Sequence, residues 1–102
     1  MEKLSFEFDG GANAPKAGKP YAVAGVVASS NLEVLAQPQD LNGRVRFEVS
    51  TTVAHFEEAW RAVFADFVER RQPRDVLFSI NDFAAIPPVV SLRLDQAWGG
   101  LG

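Results

Sequence analysis

The sequence predicts an α/β (α+β) fold: a two-layer sandwich in which a mainly antiparallel sheet of about five strands carries two helices on one face. Two patterns support this prediction. Apolar and polar residues alternate over several short runs, which indicates strands with one buried face. One longer run repeats its apolar residues at helical spacing. The 102 residues are enough for one domain, 1–102, with a modest core.

The amino-terminal region predicts a strand followed by a loop. Leu4, Phe6 and Phe8 alternate with polar residues, which indicates a strand at about 3–8. The stretch 9–20 is rich in Gly, Pro and small side chains. Because such residues cannot fill a core, this stretch is expected to be an exposed loop.

Three more runs in the first half have the composition of strands. Residues 21–27 and 31–36 are mostly apolar and rich in β-forming side chains, and 44–50 alternates charged and apolar residues. Asn42-Gly43, just before the third run, is a strong turn signal. The second and third runs therefore predict a hairpin of two antiparallel strands.

A long amphipathic helix is predicted at about 54–71. Acidic Glu57 and Glu58 fall in its first turn and basic Arg70 and Arg71 in its last, which suits the helix dipole. Its apolar positions follow the i, i+3, i+4, i+7 spacing of one helix face: Phe56, Ala59, Trp60, Val63, Phe64, Phe67 and Val68. Aromatic residues at this spacing are interpreted as core rather than as the lining of a ligand pocket.

The carboxyl-terminal region predicts one strand and one helix. Residues 75–80 alternate as a strand should, and Asn81-Asp82 then favour a turn. Pro87-Pro88 suits the first turn of a helix, and Gly99-Gly100 is expected to end it.

The composition argues against several classes of function. The chain has no Cys, so it offers no disulfide and no thiolate of its own for catalysis or metal binding. A formal charge of −3 with scattered basic residues argues against nucleic acid as a partner. No apolar run is long enough for a membrane span, and an acidic residue follows Met1, so a cytoplasmic protein is expected.

No residue constellation in the chain predicts catalysis. His55 is the only histidine and lacks the spacing of a metal motif, so no metal site is predicted. The helix carboxylates are interpreted as a solvated face: Glu57, Glu58, Asp66 and Glu69. Asp82 follows a strand, where sites often form, but a turn residue bonding nearby backbone is the preferred interpretation. Ser29 and Ser30 likewise read, from composition alone, as an exposed turn.

These serines nevertheless lie in a stretch that resembles a known family. In 24–35, Ala-Gly leads to Ser29-Ser30-Asn31 and then to Leu-Glu-Val-Leu. It is similar to the Ala-Gly, Ser-Gly-Asp and Leu-Glu-Val-Leu pattern of the acyl-carrier (delta) subunits of malonate decarboxylase, and more distantly to the acyl-carrier (gamma) subunits of citrate lyase. Further likenesses at 1–6, 49–53, 80–83, Pro87, 89–90 and 92–97 extend the resemblance over nearly the whole chain, although the turn after Phe83 lacks the glycine of the relatives.

The resemblance implies a non-catalytic carrier. The position that matches the family's modified serine is Ser29, which would bear 2′-(5″-triphosphoribosyl)-3′-dephospho-CoA through a phosphodiester and carry acetyl and malonyl groups as thioesters. Since Ser30-Asn31 replace Gly-Asp here, spacing alone leaves Ser30 as a second acceptor. The implied partners are the acyltransferase and decarboxylase subunits and a prosthetic-group transferase.

Three other interpretations remain open at this point. A citrate lyase carrier would use the same arm, although Leu32-Glu33-Val34-Leu35 and the region of Asp82-Phe83 favour malonate decarboxylase. A β-grasp protein modifier would explain a sheet with a long helix and Gly99-Gly100, but two residues follow that pair. An interaction subunit that has lost its arm would explain the altered residues after Ser29.

Overall fold

The computed structural model describes residues 2–15, 19–24, 32–83, 85 and 87–101. It contains a five-stranded sheet and two helices: β1 (Glu2–Asp9), β2 (Ala22–Ala24), β3 (Leu32–Pro38), β4 (Arg44–Thr51), α1 (Glu57–Arg71), β5 (Val76–Asp82) and α2 (Pro87–Gly100). The strand order is β1-β4-β5-β3-β2, and every neighbouring pair is antiparallel except β4 with β5. The predicted α+β class and the mainly antiparallel sheet are confirmed.

The predicted hairpin between the second and third runs is wrong. β3 and β4 are not neighbours, because β5 lies between them and pairs with both. The turn signal itself was sound, since Asn42 and Gly43 both have positive φ, at 57° and 81°, which these two residue types tolerate. The error lay in the pairing: α1 returns the chain so that β5 enters beside β4 in parallel, as in a strand–helix–strand unit.

The core lies on one face of the sheet, under both helices. Phe47 of β4 stacks on Phe64 of α1, with ring centroids 4.2 Å apart, and on Phe78 of β5, at 5.2 Å. Trp98 of α2 contacts the same Phe78 ring at 6.4 Å. Because both helices meet side chains of one sheet face, the prediction of two helices on a single face is confirmed.

α1 begins later than its apolar stripe predicts. His55 has a φ of 71°, which is not helical, and the helix starts at Glu57 rather than at about residue 54. Phe56 is therefore the N-cap residue and stays 53% exposed, outside the core, and Ala59 is exposed as well. The rest of the stripe behaves as predicted, with Trp60, Phe64 and Phe67 buried.

Two element ends differ from their predicted positions. β5 continues to Asp82, two residues beyond the predicted strand. α2 continues through Gly99 and Gly100 instead of ending before them, and the next residue, Leu101, is buried in the core. The glycine pair is therefore the end of a helix, with Gly99 exposed and Gly100 half-buried.

Candidate functional site

The two candidate serines lie outside the described residues, and so does the end of the predicted strand at 21–27. The residues that flank them are described. Ala24 is the last residue of β2 and Leu32 the first of β3, and these strands are antiparallel neighbours. Both flanking side chains are buried in the core. The stretch that contains Ser29 therefore connects two buried residues of neighbouring strands.

Leu32 belongs to a row of three residues that crosses the sheet at the ends of β3, β5 and β4. It pairs with Asp82, the last residue of β5, and Asp82 pairs on its other side with Thr51, the last residue of β4. All three are buried. A threonine and an aspartate therefore lie in the protein interior beside the strand that leads from Ser29.

Both carboxylate oxygens of Asp82 accept hydrogen bonds. The Thr51 hydroxyl donates to Oδ2 at 2.7 Å, and the Ala85 backbone N–H donates to Oδ1 at 2.9 Å. The bond to Ala85, three residues on, confirms the interpretation of Asp82 as a turn residue that binds nearby backbone. With each oxygen bonded and the side chain 3% exposed, this carboxylate has a structural role and does not face solvent as an acid or base.

Thr51 was not predicted from the sequence to have a role at this end of the sheet. Its hydroxyl oxygen also accepts the Val53 N–H at 3.1 Å, so it joins the end of β4 to Asp82. The alternation of β4 contained the signal, because Val45, Phe47 and Val49 put position 51 on the buried face. Since a buried hydroxyl needs a hydrogen-bond partner, this alternation would have allowed the prediction that Thr51 has one.

The remaining titratable candidates form no site. Glu57, Glu58, Asp66 and Glu69 are exposed, which confirms the solvated-face interpretation, and Asp66 accepts a hydrogen bond from Arg70 at 2.8 Å. This hydrogen bond, with a smaller contribution from the charges of Asp95 and Asp66, raises the pKa of Arg70. Among the described residues, no group of three His, Cys, Asp or Glu side chains could hold a metal ion.

A second aspartate with a structural role, Asp75, lies just before the opposite end of β5, and the sequence patterns did not predict its role. Asp75 Oδ1 accepts the N–H groups of Gly43, at 2.8 Å, and Leu41, at 3.1 Å. These bonds, with a smaller contribution from Arg74, hold the pKa of Asp75 below its ordinary value. Asp75 also has a φ of 54°, a conformation that aspartate tolerates better than most residues.

Comparison with known proteins gives matches along nearly the whole chain. The family profile "ACP: Malonate decarboxylase delta subunit (MdcD)" matches residues 19–100. The malonate decarboxylase acyl carrier protein of Xanthomonas campestris pv. campestris (strain B100) is 48% identical over 97 residues, which cover 95% of this chain and 91% of that protein. Its counterpart in Xanthomonas euvesicatoria pv. vesicatoria (strain 85-10) is 50% identical over the same shares.

A solved structure is similar over the full length. One chain in the crystal structure of a Pseudomonas malonate decarboxylase hetero-tetramer in complex with malonate is 37% identical, with a TM-score of 0.84, and the match covers 100% of both chains. Within the ranges that the present structure describes, neither helix is long and apolar enough to cross a membrane.

Proposed function

The chain belongs to the malonate decarboxylase delta-subunit family of acyl carrier proteins, and from this membership we propose that Ser29 bears its prosthetic group. An acyl carrier is a non-catalytic subunit, which agrees with the absence of any catalytic constellation in the sequence. The observation that carries the proposal is the position of Ser29. It lies within the matched range 19–100 and within the stretch whose sequence is similar to the family's carrier segment.

The chemistry of the chain suits a covalent arm. We take the donor of the arm to be 2′-(5″-triphosphoribosyl)-3′-dephospho-CoA. The Ser29 hydroxyl oxygen would displace pyrophosphate from its triphosphate, so that one phosphate remains and joins the rest of the group to Ser29 as a phosphodiester. When attached, this group supplies a thiol that holds an acetyl or malonyl group as a thioester. The chain has no cysteine, so it has no thiol of its own for this purpose.

The described residues on either side of the serine segment are fixed in the sheet. Ala24 is 6% exposed and Leu32 is not exposed at all, so the sheet holds the two flanks of the serine segment in place. A long arm on such a base remains within reach of more than one active site, which raises the effective concentration of its acyl group there. The role of this chain is then to anchor the arm, while catalytic groups lie in other subunits.

The partners follow from the carrier role. The similar solved chain is part of a malonate decarboxylase hetero-tetramer. We propose that this chain assembles with acyltransferase and decarboxylase subunits, and that a prosthetic-group transferase loads it beforehand. This loading and assembly would take place in the cytoplasm.

Mass spectrometry tests the proposal directly. The chain is produced together with the transferase and the enzyme that forms its precursor, and the intact mass and its peptides are measured. We expect a mass gain, located on Ser29, equal to that of the triphosphate donor less the pyrophosphate that leaves. The Ser29→Ala variant should lose this gain completely.

Ser30→Ala is the matched control, because it removes the neighbouring hydroxyl and leaves Ser29 in place. It should load as the wild type does. An adduct on Ser30 would move the site by one residue and contradict the assignment of Ser29. The absence of any adduct, under conditions that load an established carrier of this family, would favour an interaction subunit without an arm.

A further inference from the structure

We propose that the end of the sheet at which β4 finishes at Thr51 and β5 at Asp82 docks on a partner subunit that offers arginine or lysine side chains around an apolar recess. This inference rests on the assembly proposed above, but it involves neither the serine segment nor the arm. Two exposed phenylalanines and two exposed glutamates form the surface, which we call the acidic–aromatic surface: Phe56, Phe83, Glu57 and Glu58.

The two phenylalanines lie at the same end of the sheet. Phe83 directly follows Asp82, and the Thr52 N–H donates to the Asp82 carbonyl at 3.2 Å, which holds the chain after β4 beside the end of β5. Phe56 comes four residues after Thr52, as the N-cap residue of α1. Phe56 is 53% exposed and Phe83 is 40% exposed. Because aromatic side chains are enriched where proteins contact one another, this end has the composition of an interface.

Glu57 and Glu58 make this surface acidic. Both side chains are exposed, and within the described residues neither forms an ion pair. Arg61 lies one turn along α1 from Glu57, but its guanidinium packs over the Phe6 ring at 4.9 Å. The helix dipole accounts for two acidic residues in this turn, yet it leaves both carboxylates able to bond an external cation.

The opposite end of the sheet, around Asp75, treats its charges differently. There the arginines are paired with carboxylates of the same chain, for example Arg44 with Glu7 at 2.7 Å and Arg70 with Asp66 at 2.8 Å. In the described part of the chain, the acidic–aromatic surface has no such pair. Its charges are therefore available to a partner, and the complementary charge on that partner is positive.

The same charges argue against a second copy of this chain as the occupant. Two copies that met through this surface would bring Glu57 and Glu58 against their own equivalents, and like charges across an interface are unfavourable. A contact with the Asp75 end of a second copy would compete with ion pairs that already exist there. A different protein, with unpaired basic side chains, fits the surface better.

The first test measures binding of the unloaded full-length chain to the acyltransferase and decarboxylase subunits, produced together without it, by isothermal titration calorimetry. Phe56→Ala should raise Kd about tenfold. Leu92→Ala is the matched control, because Leu92 is also 53% exposed but lies on α2, and it should leave Kd unchanged. Equal weakening by the two variants, or none by Phe56→Ala, would overturn the proposal. Thermal denaturation should show both variants to be as stable as the wild type, since each side chain is exposed.

The second test removes the charges. The double variant Glu57→Gln and Glu58→Gln should raise Kd roughly fivefold at low salt, and the difference should shrink at about 1 M salt, where exposed charges are screened. Glu48→Gln with Glu69→Gln is the control, because it removes the same charge from exposed residues on β4 and near the other end of α1. Equal weakening in the two double variants would assign the effect to net charge and overturn the docking surface.

Sedimentation of the chain alone tests the second copy. We expect a monomer, and a dimer that Phe56→Ala abolishes would overturn the proposal by giving the surface to a second copy. If the wild-type chain binds none of the subunits, the assembly proposed above fails and the docking surface fails with it. If the chain binds normally but no arm is found on Ser29, the assignment of Ser29 fails and the docking surface stands.

Discussion

The central strand β5 has an aspartate at each end, and the two are bonded differently. Asp75, just before the strand, accepts backbone N–H groups from the turn at Leu41 and Gly43, and its side chain is 24% exposed. Asp82, the last residue of the strand, is buried and accepts one hydroxyl and one backbone N–H. The first aspartate organises a loop, whereas the second joins strand ends inside the core.

The surroundings of the two ends differ in the same way. At the Asp75 end, backbone bonds tie 10–13 to the chain at 43 and 72–74, including Gly10 N–H to the Gly43 carbonyl and Gly11 N–H to the Pro73 carbonyl. At the Asp82 end, a side-chain hydroxyl makes the central contact. The Asp82 end therefore combines a removable side-chain bond with backbone bonds from Ala85 and Thr52, whereas the opposite end depends on close backbone packing.

The largest effect should come from adding a methyl group at the Asp75 end. In Gly10→Ala the new Cβ would overlap the Gly43 carbonyl oxygen and lie 2.7 Å from Arg74 Cβ and 2.9 Å from the Pro73 oxygen. Because backbone atoms cannot move aside, we expect a loss of about 3 kcal/mol in the free energy of unfolding, measured by urea denaturation.

Gly99→Ala is the control for that change, since its Cβ would have no neighbour within 4 Å and it lies in α2. It should leave stability unchanged or raise it by up to about 1 kcal/mol, because alanine favours the helix. A Gly10→Ala protein as stable as the wild type would contradict the close packing at this end.

The second effect should come from removing the carboxylate at the other end. Asp82→Ala leaves the Thr51 hydroxyl and the Ala85 N–H without their acceptor, so we expect a loss of about 2 kcal/mol in the free energy of unfolding. Asp82→Asn keeps one acceptor oxygen and should lose about half as much. Urea denaturation at neutral pH measures both losses. A loss below about 0.5 kcal/mol in Asp82→Ala would show that the hydrogen bonds of Asp82 contribute little to stability.

The smallest effect should be a dependence on pH at the Asp75 end. The N–H groups of Gly43 and Leu41 lower the pKa of folded Asp75 below the unfolded value of about 3.9, so its charge stabilises the fold above that pH. This stabilisation is lost as the pH falls through the folded pKa. Asp75→Asn keeps the positive φ and an acceptor oxygen but cannot titrate.

The measurement is urea denaturation of both proteins at a series of pH values from 7 down to 2.5. The stability difference between wild type and Asp75→Asn should be constant above about pH 5 and shrink below about pH 4. A difference that stays constant over the whole range would mean that the carboxylate charge of Asp75 plays no part at this end.

The periodic elements were the part of the fold most open to prediction. Alternation identified β1, β4 and β5, and the aromatic stripe identified α1, because these patterns report which face of a local element is buried. The interpretations of Asp82 as a turn residue and of the α1 carboxylates as solvated also followed from local chemistry. The start of α1 was missed because the left-handed conformation of His55 has no signal in the apolar spacing.

The candidate site divides in the same manner. Membership of the carrier family and the choice of Ser29 as a candidate came from the order of residues in 24–35. The hydrogen bond between Thr51 and Asp82 could not be predicted from the sequence, since the two residues are 31 positions apart and neither residue type specifies the other. A buried threonine needs an acceptor, but the sequence does not say which strand supplies it.

By itself, then, the sequence determined the class of fold, the elements and their buried faces, and the family to which the chain belongs. Tertiary structure alone decided that β5 lies between β3 and β4, that Gly99 and Gly100 stay helical, and that two aspartates close opposite ends of one strand. The physical reason is range. Periodicity and turn chemistry depend on neighbours along the chain, whereas strand order and buried hydrogen bonds depend on residues that meet only after folding.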